Sequence, residues 1–196
     1  MERYDGKTRK DDIKKYVLIG VGVVLLIILY NLTTYAIRRL SHPTPDMSVV
    51  IASTKILDDQ MTEDAEKLLS PLVGDLDGNG KAGVDVIPLN LWRNSAIEAD
   101  SDSAKLSDYM SDGTYHLFLI SSDANWSFYC KASFCRELPE DLATGNAYCV
   151  KLPGNALFQD EKMGLIDFYG CIHKDATDAE YDAMVALLRA LKEKSE

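Results

Sequence analysis

The chain has 196 residues, of which 46% are hydrophobic and 27% are charged, and this composition excludes a collagen-like or wholly disordered protein. The length argues against a multidomain machine, because compact domains usually run to about 100 to 200 residues. The formal net charge is −10, and residues 42–196 carry 27 acidic side chains against 13 basic ones. Because nucleic-acid binding needs a basic face, this acidity argues against it.

Residues 16–37 form an uncharged run of 22 residues, and 13 of these are Val, Ile or Leu. As an α-helix the run would extend about 33 Å, enough to cross a hydrocarbon core of about 30 Å. A cleaved signal peptide fits less well, because the run is long and lacks a small-residue cleavage site. A buried helix also fits less well, since the remaining chain is too small to cover a helix that is apolar all round. We therefore predict a single transmembrane helix that anchors the chain in the lipid bilayer.

Basic residues around this run set its predicted orientation. Six Lys and Arg residues precede it and three follow within about 18 residues, which favours a cytoplasmic N-terminus. We therefore predict that the chain is a cell-membrane protein with its C-terminal part outside the cytoplasm. The predicted segments are a basic tail (1–15), the transmembrane helix (16–37), a Pro-containing spacer (38–46) and an extracytoplasmic domain (47–196).

The external domain alternates apolar, β-branched runs with stretches of helical periodicity. Strands are predicted at residues 47–52, 83–91, 115–120, 147–152 and 163–169. A helix is predicted at 62–69, capped by Thr62 and ending before Pro71, and a second at 103–111, ending at Gly113. A last helix should begin after Thr177, because Thr177 and Glu180 have the spacing of a capping box and apolar residues follow at helical intervals.

This order of elements predicts an α/β fold. The transmembrane helix would be followed by one domain of two or three layers on a mostly parallel sheet, with right-handed crossovers. By element order, the domain resembles one lobe of an extracytoplasmic solute-binding protein, or a flavodoxin-like sheet. A complete binding protein of that kind closes two lobes around its ligand, and this chain is too short for two.

The sequence Asp-Leu-Asp-Gly-Asn-Gly-Lys at residues 75–81 resembles the first half of an EF-hand or dockerin calcium loop. The candidate calcium ligands are Asp75, Asp77, Asn79, the carbonyl group of Lys81, and Asp85. The pattern departs from that family at position 12, which is Val86 in place of a bidentate carboxylate. Two interpretations follow: a weak calcium site with a Kd of about 10⁻⁴ to 10⁻³ M, or a plain turn in which the glycines serve backbone geometry.

All four cysteines, Cys130, Cys135, Cys149 and Cys171, fall in the part predicted to be external. An even number in an oxidising compartment permits two disulfides with three connectivities. Spacing along the chain favours Cys130 with Cys135 and Cys149 with Cys171. The alternatives are buried free thiols, or a zinc site completed by His173, although neither C-x-x-C nor H-x-x-x-H spacing is present.

Ligands of open α/β sheets bind beyond the carboxyl ends of the strands. This rule nominates residues that follow the first three predicted strands: Ser53, Thr54, Asn90, Trp92, Arg93, Ser121, Ser122 and Asp123. Trp126, Phe128 and Tyr129 could add a stacking wall. The alternative interpretation is that all of these are ordinary loop residues.

The sequence contains no nucleophile elbow, phosphate-binding loop or metalloprotease motif, so we nominate no catalytic residue. His116 lies in an apolar stretch and is predicted to be a core histidine. The anchor, the acidic external domain and the D-x-D-G-N-G turn together resemble single-pass surface proteins of Gram-positive bacteria whose activity is unassigned. The leading hypothesis is a non-enzymatic, membrane-anchored module that contacts an envelope component or a protein partner. The alternatives are a small-ligand-binding or sensory lobe, and an anchored hydrolase.

Overall fold

A five-stranded sheet carries the fold of the unit Pro45–Glu196 in a computed structural model of the chain. The structure describes residues 16, 21, 45–76, 78, 80, 82–91, 96–143, 145–158 and 160–194, with the backbone alone for 96–101, 161 and 162. The strands are β1 (Met47–Ser53), β2 (Val84–Asn90), β3 (Leu117–Ser121), β4 (Val150–Leu152) and β5 (Phe168–Ile172). The helices are α1 (Asp59–Val73), α2 (Ala96–Asp112), α3 (Trp126–Tyr129), α4 (Glu161–Gly164) and α5 (Asp178–Glu193).

The sheet is mixed, with the strand order β2-β1-β3-β5-β4. β1 runs parallel to both β2 and β3, whereas β5 runs antiparallel to both β3 and β4. The α/β character is as predicted, but the expectation of a mostly parallel sheet is wrong. The reason lies in residues 153–167, which join β4 to its neighbour β5. This connection reverses the chain direction at one edge of the sheet, as antiparallel neighbours allow, and it contains no long crossover helix.

The second correction concerns the transmembrane helix that we predicted as part of the fold. Within the described residues, the structure contains no helix that is long and apolar enough to cross a membrane. Apart from Tyr16 and Val21, the predicted span lies outside the described residues, and so do the predicted basic tail and residues 38–44 of the spacer.

Helix α1 is longer at both ends than the sequence predicted. Its N-cap is Asp58, whose side chain accepts a hydrogen bond from the backbone N–H of Met61, at 2.8 Å. Thr62, the predicted cap, instead donates its hydroxyl to the Asp58 carbonyl group. Pro71 lies within the last turn, and the helix ends two residues later at Val73, soon after the residue that lacks a backbone N–H.

Helix α5 begins at the predicted capping box, which the structure confirms. The Thr177 side chain accepts a hydrogen bond from the Glu180 N–H, and the Glu180 carboxylate accepts one from the Thr177 N–H at 2.8 Å. The box satisfies backbone donors that the first turn would otherwise leave unpaired. The helix then buries Met184, Val185 and three leucines on one side.

The two faces of the sheet have different coverings, because successive strand residues point to opposite sides. Val49 and Ile51 of β1 pack with α1 and α5, on the side that we call the α5 face. Val50 and Ala52 pack with α2 and with the four cysteines, on the side that we call the cysteine face. Helices therefore lie on both sides of the sheet, and the described unit has three layers.

Candidate functional site

Two buried serines end adjacent parallel strands. Ser53 is the last residue of β1 and Ser121 is the last residue of β3, and the strands are in register at Ala52 and Ile120. From β1 the chain moves outward to β2, and it then returns past β1 to form β3. The connection after β1 leads to one side of the sheet, whereas the connection after β3 leads to β4 on the other side, so the carboxyl ends of β1 and β3 form a topological switch point, the usual ligand position in open α/β sheets.

Asp123 joins the ends of these two strands. Its carboxylate accepts a hydrogen bond from the Ser121 hydroxyl, at 2.6 Å, and a second from the Thr54 hydroxyl. The Thr54 N–H also donates to the Ser121 oxygen, at 3.4 Å. Asp123 itself is exposed. The arrangement places an accessible carboxylate over the switch point, held there by two hydroxyl donors. We call Thr54, Ser121 and Asp123 the Asp123 cluster.

Two other nominated residues, Asn90 and Ser53, accept hydrogen bonds from the loop that follows β1 at the same edge. The Asn90 side-chain oxygen accepts a hydrogen bond from the Leu57 N–H, at 2.8 Å, and so fixes the loop that follows β1. Ser53 accepts one from the Lys55 N–H, at 3.0 Å. Both side chains therefore shape the loop after β1.

The remaining nominated residues do not join the cluster. Ser122 is exposed, and its N–H donates to the Asp167 carbonyl group, at 2.7 Å, in the turn before β5. Trp92 and Arg93 lie outside the described residues. The ring of Trp126, nominated for a stacking wall, lies parallel to Tyr169 of β5 with ring centroids 3.7 Å apart, so one of its faces is already covered.

The segment that resembles a calcium loop is only partly described. Asp77, Asn79 and Lys81 lie outside the described residues, while Asp85 is a residue of β2 opposite Ser48 of β1. The Asp75 carboxylate accepts a hydrogen bond from the Gly80 N–H, at 2.7 Å. Among the residues that the structure describes, no group of three or more His, Cys, Asp or Glu is arranged to hold a metal ion. The calcium site therefore stays a prediction.

Asp46 closes this loop, a role that the sequence analysis missed. Its two carboxylate oxygens accept hydrogen bonds from the N–H groups of Leu76, at 2.9 Å, and Gly83, at 2.8 Å. Asp46 therefore joins the start of β1 to both ends of the loop. An aspartate placed between Pro45 and a strand was the available signal, because aspartate often accepts from nearby backbone donors.

All four cysteines are buried on the cysteine face as free thiols. Interactions with neighbouring thiols shift the pKa values of Cys130, Cys149 and Cys171. The Cys149 and Cys171 thiols lower the pKa of Cys130 to about 5, against the opposing effect of burial. Interaction with Cys130, together with burial, raises the pKa of Cys149, and the pKa of Cys171 is raised in the same way. The Cys130 thiol is therefore much more acidic than those of Cys149 and Cys171.

The buried histidine is His173, whereas His116 is only half-buried and lies 3.3 Å from a Glu180 carboxylate oxygen, measured from Nδ1. The Asp175 N–H can only donate, so Nδ1 of His173 accepts this hydrogen bond, at 3.2 Å. The Met110 carbonyl oxygen can only accept, so Nε2 of His173 carries the proton and donates at 3.1 Å. His173 thus caps the C-terminal end of α2, and its partners leave no ring nitrogen for a metal.

Comparisons of the chain with family models, with curated proteins and with solved structures return no significant match. The function is therefore argued from the Asp123 cluster and its surroundings.

Proposed function

We propose that the unit Pro45–Glu196 binds a small molecule carrying a protonated amine at the carboxyl ends of β1 and β3. The observation that carries the proposal is the position of Asp123, whose exposed carboxylate lies over a topological switch point and is held by Ser121 and Thr54. This is the small-ligand-binding alternative of the sequence analysis, with the ligand chemistry specified.

The charge of the site selects the ligand class. A carboxylate accepts hydrogen bonds and attracts cations, so an anionic ligand would be repelled at this point. The surplus of acidic side chains over residues 42–196 adds a long-range attraction for cations. An amine that reached Asp123 would find hydroxyl oxygens of Ser121 and Thr54 within the same cluster.

Calorimetric titration of the full chain with a panel of small primary amines and amino acids tests the proposal. We expect at least one compound to bind, and Asp123→Asn to weaken its binding roughly tenfold or more because a charge-assisted hydrogen bond is lost. Asp182→Asn is the matched control, since Asp182 is exposed on α5. Equal affinity of wild type and Asp123→Asn, or no binding by any amine, would refute the proposal.

A protein or envelope partner at the same edge is the second candidate. Two large apolar side chains are strongly exposed there: Ile56, with 65% of its surface exposed, and Leu165, with 87%. Ile56 follows β1 by three residues, and Leu165 precedes β5, whose first residue pairs with Ser121. Exposed apolar side chains beside an acidic group suit a partner with an apolar, basic surface.

A photo-crosslinking residue in place of Leu165 tests this second candidate in cells. We expect one discrete crosslinked species, which Ile56→Ser should weaken. The same crosslinker in place of the exposed Asp182 is the control. If position 182 gives the same species, or position 165 gives none, the edge is not the contact surface.

We further propose that this unit acts outside the cytoplasm. The support is that all four cysteines are buried in one cluster, since an even number of grouped cysteines can form disulfides, which persist in oxidising compartments. Protease added to intact cells should degrade the unit, whereas protection in intact cells and degradation after lysis would contradict the proposal.

A further inference from the structure

Strand β2 forms one edge of the sheet, and among the described strands it pairs with β1 alone. An exposed strand edge can pair with a strand of another molecule through its unpaired backbone groups. The N–H of Leu91, just after β2, donates to the carbonyl group of Ser53 at 2.7 Å. Since the N–H groups of successive strand residues point to opposite sides, those of the even-numbered residues of β2 point away from β1.

Side chains of α1 accept hydrogen bonds from two of these outward groups. The Val84 N–H donates to the hydroxyl oxygen of Ser70 at 3.1 Å, and the Val86 N–H donates to a carboxylate oxygen of Glu66 at 3.2 Å. The Ser70 hydroxyl donates its own proton to the Glu66 carbonyl group at 2.7 Å, so its oxygen acts toward β2 as an acceptor. Glu66 and Ser70 lie four residues apart on one side of α1, and both therefore reach the same strand edge.

The other two outward positions are closed in different ways. Position 88 is Pro88, which has no backbone N–H. The Asn90 N–H donates to a carboxylate oxygen of Asp102, a residue of α2, at 3.0 Å. Helices from both faces of the sheet thus contact this edge, α1 near the start of β2 and α2 at its end. None of the four outward positions therefore offers an N–H group to a further strand.

We propose that four edge-blocking residues prevent a second copy of the chain from pairing with β2. They are Glu66, Ser70, Pro88 and Asp102. Two copies related by a two-fold axis would present β2 to β2, and antiparallel pairing would then join the two sheets into one. The sequence of β2 otherwise favours such pairing, because Val84, Val86 and Ile87 are β-branched. The side chains from α1 and α2 oppose it by occupying the N–H groups that the second copy would need.

The opposite edge of the sheet, formed by β4, is closed by other means. β4 has only three residues, and its middle residue is the exposed Lys151, whose amino group lies 2.6 Å from an Asp167 carboxylate oxygen. Short edge strands that carry lysine are poor templates for pairing. The edge of β2, which is seven residues long, is therefore the one that depends on blocking by neighbouring helices.

Amide hydrogen exchange of the full chain, followed by NMR, tests one blocking contact. We expect the Val86 N–H to be protected in the wild type, and Glu66→Ala to speed its exchange roughly tenfold while Val84 changes little. Glu66→Gln keeps an acceptor oxygen and should restore the protection. Glu63→Ala is the matched control, because Glu63 is exposed one turn earlier in α1. Fast exchange at Val86 in the wild type, or faster exchange along the whole of β1 in Glu66→Ala, would overturn the proposal.

Sedimentation velocity of the full chain tests the association itself. Glu66→Ala, Ser70→Ala and Pro88→Val together release the N–H groups of Val84 and Val86 and add one at position 88. We expect this triple variant to form a dimer whose share grows with protein concentration. Pro88→Val alone keeps both acceptors of α1 and should sediment as the wild type does. A folded triple variant that sediments as the wild type does would overturn the proposal, and if the triple variant does not fold, the exchange at Val86 decides.

Discussion

The two faces of the sheet differ in how they exclude water. The α5 face is covered by two long helices, and its buried cluster contains aliphatic side chains together with Phe158 and Phe168. The cysteine face is covered by α2 and by a segment whose only helix has four residues, and it buries four thiols and a stacked Trp–Tyr pair, with His173 at its edge. Regular helices satisfy most of their own backbone groups, so they can cover a sheet with apolar side chains. An irregular segment leaves more of its backbone groups to be satisfied by specific polar partners. The cysteine face therefore contains more kinds of buried side chain.

The largest expected effect is on the α5 face. Leu188→Ala removes a fully buried side chain of α5 and should lower the free energy of unfolding by about 2 to 5 kcal/mol, because a cavity replaces well-packed atoms. Urea unfolding measures the change. Ala186→Ser, at an exposed position of the same helix, should change little.

Gly170 of β5 provides a second measurement at the same contact. A Cβ added there would lie 2.7 Å from Cδ2 of Leu188. Gly170→Ala alone should therefore destabilise the protein, and it should cost less in the Leu188→Ala background, where the closest contact is removed and Leu119 and Val150 remain at 3.2 and 3.3 Å. Additive effects of the two substitutions would show that Leu188 does not fill this position, and would weaken the view of the α5 face as tightly packed.

On the cysteine face, the largest single effect should come from a hydrogen-bonded group. His173→Leu replaces the imidazole with an apolar side chain of similar size and leaves the Met110 carbonyl group and the Asp175 N–H without this partner. We expect a loss of about 1 to 3 kcal/mol in the free energy of unfolding. Hydrogen exchange should also quicken at the C-terminal end of α2. His116→Leu is the control and should cost less, since His116 is half-buried. If the two histidine variants are equally stable, the polar contacts at this edge of the face contribute little.

Smaller effects are expected at the helix caps that bound the α5 face. Thr177→Ala removes one half of the capping box and should cost about 1 kcal/mol. Asp58→Ala removes the N-cap of α1 and should cost a similar amount. Urea unfolding of both variants beside Thr62→Ala makes a direct comparison. Thr62→Ala should lower the free energy of unfolding least. A larger loss there would show that Thr62, the predicted cap, stabilises the start of α1.

These caps also show how far the sequence could predict the fold. The capping box and apolar periodicity of α5 are local signals, and so is the run of apolar residues that became β3. Strand direction is not local, because it depends on how residues 153–167 turn the chain between β4 and β5. For the same reason β5 was predicted at 163–169 and is found at 168–172, while Met163 packs as part of α4.

The candidate site likewise contains residues that strand positions predict and contacts that only the folded chain creates. The sheet-end rule nominated Ser53, Thr54, Ser121 and Asp123 from strand positions alone, and the structure brings these residues to one edge. The grouping of the four cysteines in one buried cluster could not be read from spacing, because it depends on the pairing of β4 with β5. The roles of Asp46 and His173 were missed, His173 having been considered only as a zinc ligand, because their partners are backbone groups and a sequence does not show which backbone groups remain unpaired.

The smallest expected effect concerns the ion pair that joins α5 to the segment between Cys135 and Cys149. The Arg189 guanidinium donates to Asp141 at 2.8 Å, and this hydrogen bond holds the pKa of Asp141 below its ordinary value of 3.8. In the unfolded chain the carboxyl regains its ordinary pKa and so binds a proton more readily. The contribution of the pair is therefore fully present above about pH 3.8 and is lost as the pH falls through the lower, folded-state pKa.

Arg189→Gln should thus be slightly less stable than wild type at pH 7, and the difference should vanish on acidification below the pKa of Asp141. Both side chains are about half exposed, so the effect is small and screened by salt. Lys174→Gln removes the same charge at an exposed position outside α5 and controls for the change in net charge. Urea midpoints of the three proteins at pH 7 and in strong acid give the comparison. A deficit of Arg189→Gln that persists in acid would mean that Arg189 acts through packing of its apolar stem, as long basic side chains can.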